Sequence, residues 1–278
     1  MPTPTSGLKI VEASDEHGEA IMELAREDPI LNAFIIYDWL ELRDRCRFYL
    51  ALRAPLERLE ALCLIYPGER FHTLIPRGST EGIRALLAEV ELPEKAVFPV
   101  LKPEEADIVL EVLGQRAGPI YDALLMTCSP DDFRPRIAHD VVRLGPEHAE
   151  IFRRFLIEER SERGHRPTLE QVRRRLRDEK RPVFAIIESG RIVSLALIFL
   201  STQDVAFVGG SYTIPELRSR GLATSTTSRA TEEAIKISGL AALIVRANNA
   251  PAIRVYEKVG YKLHKRIKWV CAGLDYPP

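Results

Sequence analysis

Apolar residues in this chain recur at two spacings, every second position and every third or fourth, and the switches between them cut the sequence into alternating strands and helices. "LKIVEAS" (residues 8–14) reads as a strand, and "DEHGEAIMELARED" (15–28) and "LNAFIIYDWLELRD" (31–44) read as helices. "RFYLALRA", "RLEALCLIY" and "FHTLIP" then read as strands, "STEGIRALLAEV" as a helix with a Ser or Thr cap, and "AVFPVL" as a strand. "EEADIVLEVLG" reads as a helix stopped at Gly114, and "YDALLMTC" as the last strand of a mixed α/β half.

The order then repeats. "DVVRLG" reads as a strand, "PEHAEIFRRFLIEER" and "LEQVRRRLRDEK" as helices, and "PVFAIIES", "RIVSLALIFLS" and "VAFVGGSYTI" as strands. A helix after Gly221, the strand "AALIVRAN", the short helix "PAIRVYEKVG" and the strand "YKLHKRIKWVCA" complete the second half. The polar, proline-bearing "SPDDFRPR" (Ser129–Arg136) between the halves is the best linker candidate. The expected organisation is two α/β domains, 1–135 and 136–278. The halves share element order rather than sequence, which suggests a tandem duplication without establishing it.

Composition narrows the partners. The 278 residues carry 39 Lys and Arg against 40 Asp and Glu, a net charge of −1, so no global charge points to nucleic acid or to a membrane surface. No apolar run reaches the roughly 18 residues of a spanning helix. The start "MPTPTSGLKI" lacks the segments of a signal peptide, so a cytoplasmic protein is expected. Cys46, Cys63, Cys128 and Cys271 have no C-x-x-C spacing and the histidines form no H-x-x-x-H pair, so no metal is expected. Cys63 and Cys128 lie in apolar runs and read as small buried hydrophobes. The arginine-rich stretch 153–181 is interleaved with carboxylates, so it reads as a salt-bridged solvated face rather than a polyanion site.

Chemistry concentrates in "TIPELRSRGLATS", Thr213–Ser225. The preceding strand holds Gly209 and Gly210, a pair that marks a bulge or a close approach of another chain, and Pro215 ends its ladder. After Gly221, the residues Leu222, Ala223, Thr227, Ala230, Ala234 and Ile237 keep helical spacing. A first helical turn has unpaired N–H groups and the positive end of the dipole, and a glycine there lets an anion reach the backbone. Arg218 and Arg220 add charge and Thr224 a hydroxyl, so the stretch can seat a diphosphate; a plain helix start with solvated arginines fits the same residues. Neither G-x-x-x-x-G-K-[ST] nor G-x-G-x-x-G occurs. Downstream, Asn249 suits an N-cap, Pro251 a first turn and Gly260 a stop. That helix would carry Asn249, Ile253 and Tyr256 on one face, the first and last roughly 10 Å apart.

Arg218-Ser219-Arg220-Gly221-Leu222-Ala223 resembles the R/Q-x-x-G-x-G/A signature of the GCN5-related N-acetyltransferase (GNAT) superfamily. Asn249–Tyr261 is similar to its N-x-x-A-x-x-x-Y-x-x-x-G-F/Y segment, and both motifs come in the family's order. "VGGSYTIPELRSRGLAT" resembles the FR47-like branch, whose strand ends in a Tyr-Thr pair before a proline. The likeness covers residues 138–272. It implies a mixed, mostly antiparallel sheet flanked by helices, in two tandem domains whose first is degenerate: its turn "IPRGSTEG" lacks the coenzyme spacing.

The resemblance implies acetyl-coenzyme A as co-substrate. Arg218, Ser219, Arg220, Gly221, Leu222 and Ala223, with Thr224, would hold its diphosphate. Tyr212, Thr213 and Ile214 would pair with the pantetheine arm, Asn249 would meet that arm or a water, and Tyr256 would be the general acid. A phenol with a pKa near 10 matches a thiolate of similar basicity, and an N–H at the strand bulge can stabilise the oxyanion formed when an amine attacks a thioester. The attacking amine needs a base. Glu188 and Asp204 lie at strand ends and are candidates, though exposed turn carboxylates fit them as well. His165 and Arg166 border the family's acceptor region. The expected activity is N-acetyl transfer to a small-molecule or peptide amine. A non-catalytic acyl-coenzyme A sensor or interaction module is the alternative, and nucleic-acid binding through the arginine-rich helices a third reading.

Overall fold

The structure is a computed structural model and describes residues 7–68, 70–159 and 166–274. The chain forms two compact units, residues 1–124 with 265–278 and residues 125–264. The expected boundary at 135/136 keeps the last strand with the second half; in the structure residues 265–274 lie in the first unit, where Lys268–Ala272 pair with a strand of that unit.

In the first unit the elements are β1 (Leu8–Glu12), α1 (Gly18–Arg26), α2 (Ala33–Glu41), β2 (Arg47–Arg53), β3 (Arg58–Tyr66), β4 (His72–Gly78), α3 (Thr80–Glu89), β5 (Ala96–Leu101) and α4 (Pro103–Leu113). The next strand, β6 (Ala117–Cys128), begins in this unit and ends in the second. The second unit adds β7 (Val142–Arg143), α5 (Ala149–Glu158), α6 (Leu169–Leu176), β8 (Val183–Glu188), β9 (Arg191–Ser201), β10 (Ala206–Thr213), α7 (Leu222–Ser238), β11 (Ala241–Arg246) and α8 (Ala250–Val259). The final strand is β12 (Lys262–Ala272), which pairs antiparallel with β5 from Lys268 onward.

The order in the first unit's sheet is β1-β2-β3-β4-β5-β12, antiparallel except between β4 and β5. All six residues of β5 are buried, as a continuous apolar run between two covered faces requires. Phe98 packs with Leu74, Ile83, Leu86, Val109 and Val270 in that core. The second unit's order is β11-β10-β9-β8-β7, again antiparallel except between β10 and β11. Its core sets Phe152 and Phe155 of α5 and Val172 of α6 against Val183, Ile192 and Leu195 of the sheet.

The spacing-derived elements recur, several of them shortened at their ends, as α1 and α2 are. The strand expected over 140–145 pairs only at Val142 and Arg143, since Gly145 and Pro146 open a short 3-10 turn at Pro146–His148. The helix expected to reach Lys180 stops at Leu176, where the Asp178 carboxylate accepts from the Lys180 N–H at 3.1 Å and turns the chain.

The polar stretch read as a linker is fastened within its own unit. Arg134 N–H donates to the Val259 carbonyl at 2.8 Å, Arg136 N–H to Ser228 Oγ at 2.9 Å and Ala138 N–H to Ser225 Oγ at 3.1 Å. Gly260 also lies so near the Asp132 carbonyl that a Cβ there would be 2.1 Å from the oxygen. The four cysteines are free and buried, and burial pushes the Cys63 and Cys128 thiols up to about 12. Among the described residues, no helix is long and apolar enough to cross a membrane, and no three His, Cys, Asp or Glu side chains are grouped to hold a metal ion.

Candidate active site

Two parallel strands that start together and then separate create the site. β10 and β11 pair at Ala206 with Ala241 and at Phe207 with Ala242, the first residues of each strand. β10 stays on β9 to its end, but its register shifts between Phe207 and Val208 and again between Gly209 and Tyr212. The glycine pair makes the second shift feasible. A Cβ on Gly209 would be 2.8 Å from the Phe199 ring, and Gly210 takes φ +62°, a left-handed conformation that side chains disfavour. The separation leaves a cleft of about 740 Å³ walled by the end of β10, the loop before α7, α7 and α8.

The loop and the start of α7 form one wall. Ser219 and Gly221 both have positive φ, +63° and +82°, and Gly221 is the N-cap of α7 without a capping side chain. The first helical bond runs from Ser225 N–H to the Gly221 carbonyl, so the Leu222, Ala223 and Thr224 amides have no helical partner. Arg218 Nε donates to the Thr213 carbonyl at 3.2 Å and ties the loop to the strand end. Beneath, Ser225, Thr226, Ala230 and Ala234 are buried, and these small side chains let α7 lie close to the sheet. Thr213 Oγ1 and Ser194 Oγ share a hydrogen bond at 2.8 Å, which fixes the end of β10.

Most of the expected residues meet here. Tyr212, Thr213, Arg218, Ser219, Gly221, Leu222, Ala223, Thr224, Asn249 and Tyr256 all line the cleft. Ile214 and Arg220 do not: Ile214 is buried and donates its N–H to the Val193 carbonyl at 3.0 Å, while Arg220 is exposed. The Tyr212 phenol is committed elsewhere, donating to Glu159 at 2.9 Å with its ring edge-on to Phe155 of α5. Strand alternation explains this, since Ser211 and Thr213 fall on the face opposite Tyr212. Glu188 and Asp204 are exposed and outside the cleft lining, as is Arg166; His165 lies outside the described residues.

The opposite wall is α8. Asn249 caps it by accepting from Ala252 N–H at 3.3 Å, and Gly260 closes it at φ +114°. Tyr256 is 9% exposed and lies edge-on to Tyr261, ring centroids 6.0 Å apart; Tyr261 in turn bonds Thr231 Oγ1 at 2.9 Å. Burial raises the Tyr256 pKa above the ordinary phenol value and the nearby Ser211 hydroxyl draws it partly back, so the phenol holds its proton at neutral pH.

Sequence reasoning missed Ser211, Thr227, Arg254 and Lys258, which also line the cleft. Arg254 and Lys258 were findable, being four apart on α8 and therefore on one face. Ser211 and Thr227 were not, because nothing local distinguishes a hydroxyl that packs from one in a cleft wall. Thr227 Oγ1 is buried without a hydrogen-bond partner, whereas the Ser211 hydroxyl faces the Tyr256 phenol. Free first-turn amides, an unpaired strand edge and an orphan hydroxyl in one elongated cleft fit a ligand with a diphosphate at one end and an amide-bearing arm, which is the make-up of coenzyme A.

Comparison with known proteins agrees with this geometry. The model of the acetyltransferase (GNAT) family matches residues 147–261. Comparison with curated proteins gave no match. Among solved structures, the chain is similar to a GCN5-related N-acetyltransferase from Sphaerobacter thermophilus, with TM-score 0.65 and 16% identity over 99% of both chains. It is also similar to a tandem GNAT protein from the clavulanic acid biosynthesis pathway, with TM-score 0.62 and 14% identity over 95% of this chain and 98% of that one. A Drosophila protein aligns with TM-score 0.71 and 13% identity over 96% of this chain and 99% of that one. These identities establish a shared fold along nearly the whole chain, and the family match identifies residues 147–261 as a GNAT acetyltransferase domain.

Proposed function

We propose that the protein is an acetyl-coenzyme A dependent N-acetyltransferase acting on a small-molecule or peptide amine, with its reaction centre in the cleft between β10 and α8. The observation that carries this reading is the meeting, in one cleft, of the unpaired first-turn amides of α7 with the buried, proton-bearing Tyr256. The amides of Leu222, Ala223 and Thr224, with the Arg218 and Ser219 backbone, hold the diphosphate. The free edge of β10 at Ser211–Thr213 pairs with the pantetheine amides as a neighbouring strand would, and Asn249 adds its amide at the mouth of α8. Arg220 contributes long-range positive charge from outside the cleft, and Ile214 anchors the strand end. When bound, the thioester supplies an activated acyl group. Tyr256 keeps a proton ready for the departing thiolate, and the amides at the Gly209–Gly210 bulge face the charge that develops on the acyl oxygen.

The first unit, in this reading, is a degenerate copy without a coenzyme site. β4 and β5 also start paired, His72 with Ala96 and Thr73 with Val97. Further along, Arg77 bridges them: it donates to the Val100 carbonyl at 3.1 Å and to Asn32 at 2.6 Å, and pairs with Glu105. Ser79 caps α3 by accepting from Gly82 N–H at 3.1 Å, so an amide that is free in α7 is used.

Calorimetric titration with acetyl-coenzyme A tests the proposal, together with Gly221→Val, which forces a β-branched residue to the φ of +82° that Gly221 adopts. Binding to the wild type and its loss in the variant are expected. Binding with no turnover on any amine supports a sensor or interaction module instead, and no binding at millimolar ligand refutes the cofactor assignment.

A further inference from the structure

We propose that His139, outside both motifs, is a positioning residue that aims the anion-binding backbone of the loop before α7; this rests on the coenzyme A reading above. His139 Nε2 lies 3.0 Å from the Arg220 carbonyl oxygen, 81 positions along the chain. A carbonyl only accepts, so Nε2 carries the proton. The Arg220–Gly221 peptide is trans, and a trans peptide directs its C=O and N–H to opposite sides. Gly221 lines the cleft while His139 and Arg220 do not. Holding the carbonyl outward on the imidazole therefore turns the Gly221 N–H toward the cleft, beside the free amides of Leu222–Thr224.

This peptide needs a restraint. Glycine tolerates either sign of φ, so the plane preceding Gly221 can rotate at little steric cost, and rotation would present a carbonyl oxygen where an anion is to sit. Arg218 is fastened to Thr213, which secures the far side of the loop, and His139 secures the near side. His139 is itself held against α7, because Ala138 and Arg136 donate their N–H groups to Ser225 and Ser228, both fully buried. Residues 136–139 thus act as a splint along the helix whose N-terminus they orient.

The test compares His139→Ala and His139→Gln with wild type by calorimetric titration and steady-state kinetics. The ligands are coenzyme A and adenosine 3′-phosphate 5′-diphosphate, which lacks the pantetheine arm. His139→Ala is expected to weaken both ligands roughly five- to tenfold, the worth of about one hydrogen bond, and to raise KM while leaving kcat and Tm near wild type. Gln can donate to the same carbonyl and should recover most of the affinity. Unchanged affinity in the alanine variant overturns the proposal. So does a loss that glutamine does not recover, or one accompanied by an equal fall in kcat or a lowered Tm, since those mark a general structural role. Absence of wild-type binding would instead refute the cofactor reading itself.

Discussion

At the scale of single residues the site depends on where each side chain's partner lies. Tyr212 and Tyr256 are both cleft-lining tyrosines, yet the first gives its hydroxyl to Glu159 while the second keeps its phenol at the cleft, buried and with a raised pKa. This separates a wall residue from the proposed acid. Tyr256→Phe is expected to lower kcat by about 10²-fold or more, the usual contribution of a positioned acid, while acetyl-coenzyme A affinity measured by titration stays close to wild type. Because burial raises the Tyr256 pKa above the ordinary phenol value, any alkaline fall in kcat that this phenol causes should be centred above that value and be absent in the phenylalanine variant. Wild-type turnover in the variant at every pH would remove the tyrosine from the mechanism.

At the scale of elements, the same strand-pair geometry has two outcomes. In the second unit, glycines at the bulge and small residues on α7 leave the gap between β10 and β11 open. In the first, Arg77 and Glu105, each 2% exposed, cross the corresponding gap. A buried pair adds little net stability when intact, but removing one partner strands a charge in a medium that solvates it poorly. Arg77→Met should therefore lower unfolding free energy by about 3–5 kcal/mol in urea titrations, and adding Glu105→Gln should restore part of it. A loss below about 1 kcal/mol would mean that the arginine does not hold the strands together.

At the scale of the whole molecule, each unit carries its own strands and core, while the proposed cofactor chemistry sits in the second. Saturation at one acetyl-coenzyme A per chain is the expected stoichiometry, read from calorimetry with protein concentration fixed by absorbance. Two sites of comparable affinity would show that Arg77 and Ser79 do not close the first unit to the coenzyme.

The sequence by itself determined the elements and the two motifs, because helix and strand spacing, caps and glycine stops are local properties. Asn249 as N-cap, Gly221 at a helix start and Gly260 as a stop were all readable from their immediate neighbours. The tertiary structure decided what depends on residues distant in sequence. Which way Tyr212 turns depends on Glu159, the fastening of residues 129–139 depends on α7 and α8, and the first unit's bridged strands depend on Arg77 meeting Glu105. The return of residues 265–274 to the first unit likewise follows from the pairing of Lys268–Ala272 with β5. Such pairings are settled by which partner best satisfies a buried polar group or a strand edge, and that competition is resolved only once the chain has packed.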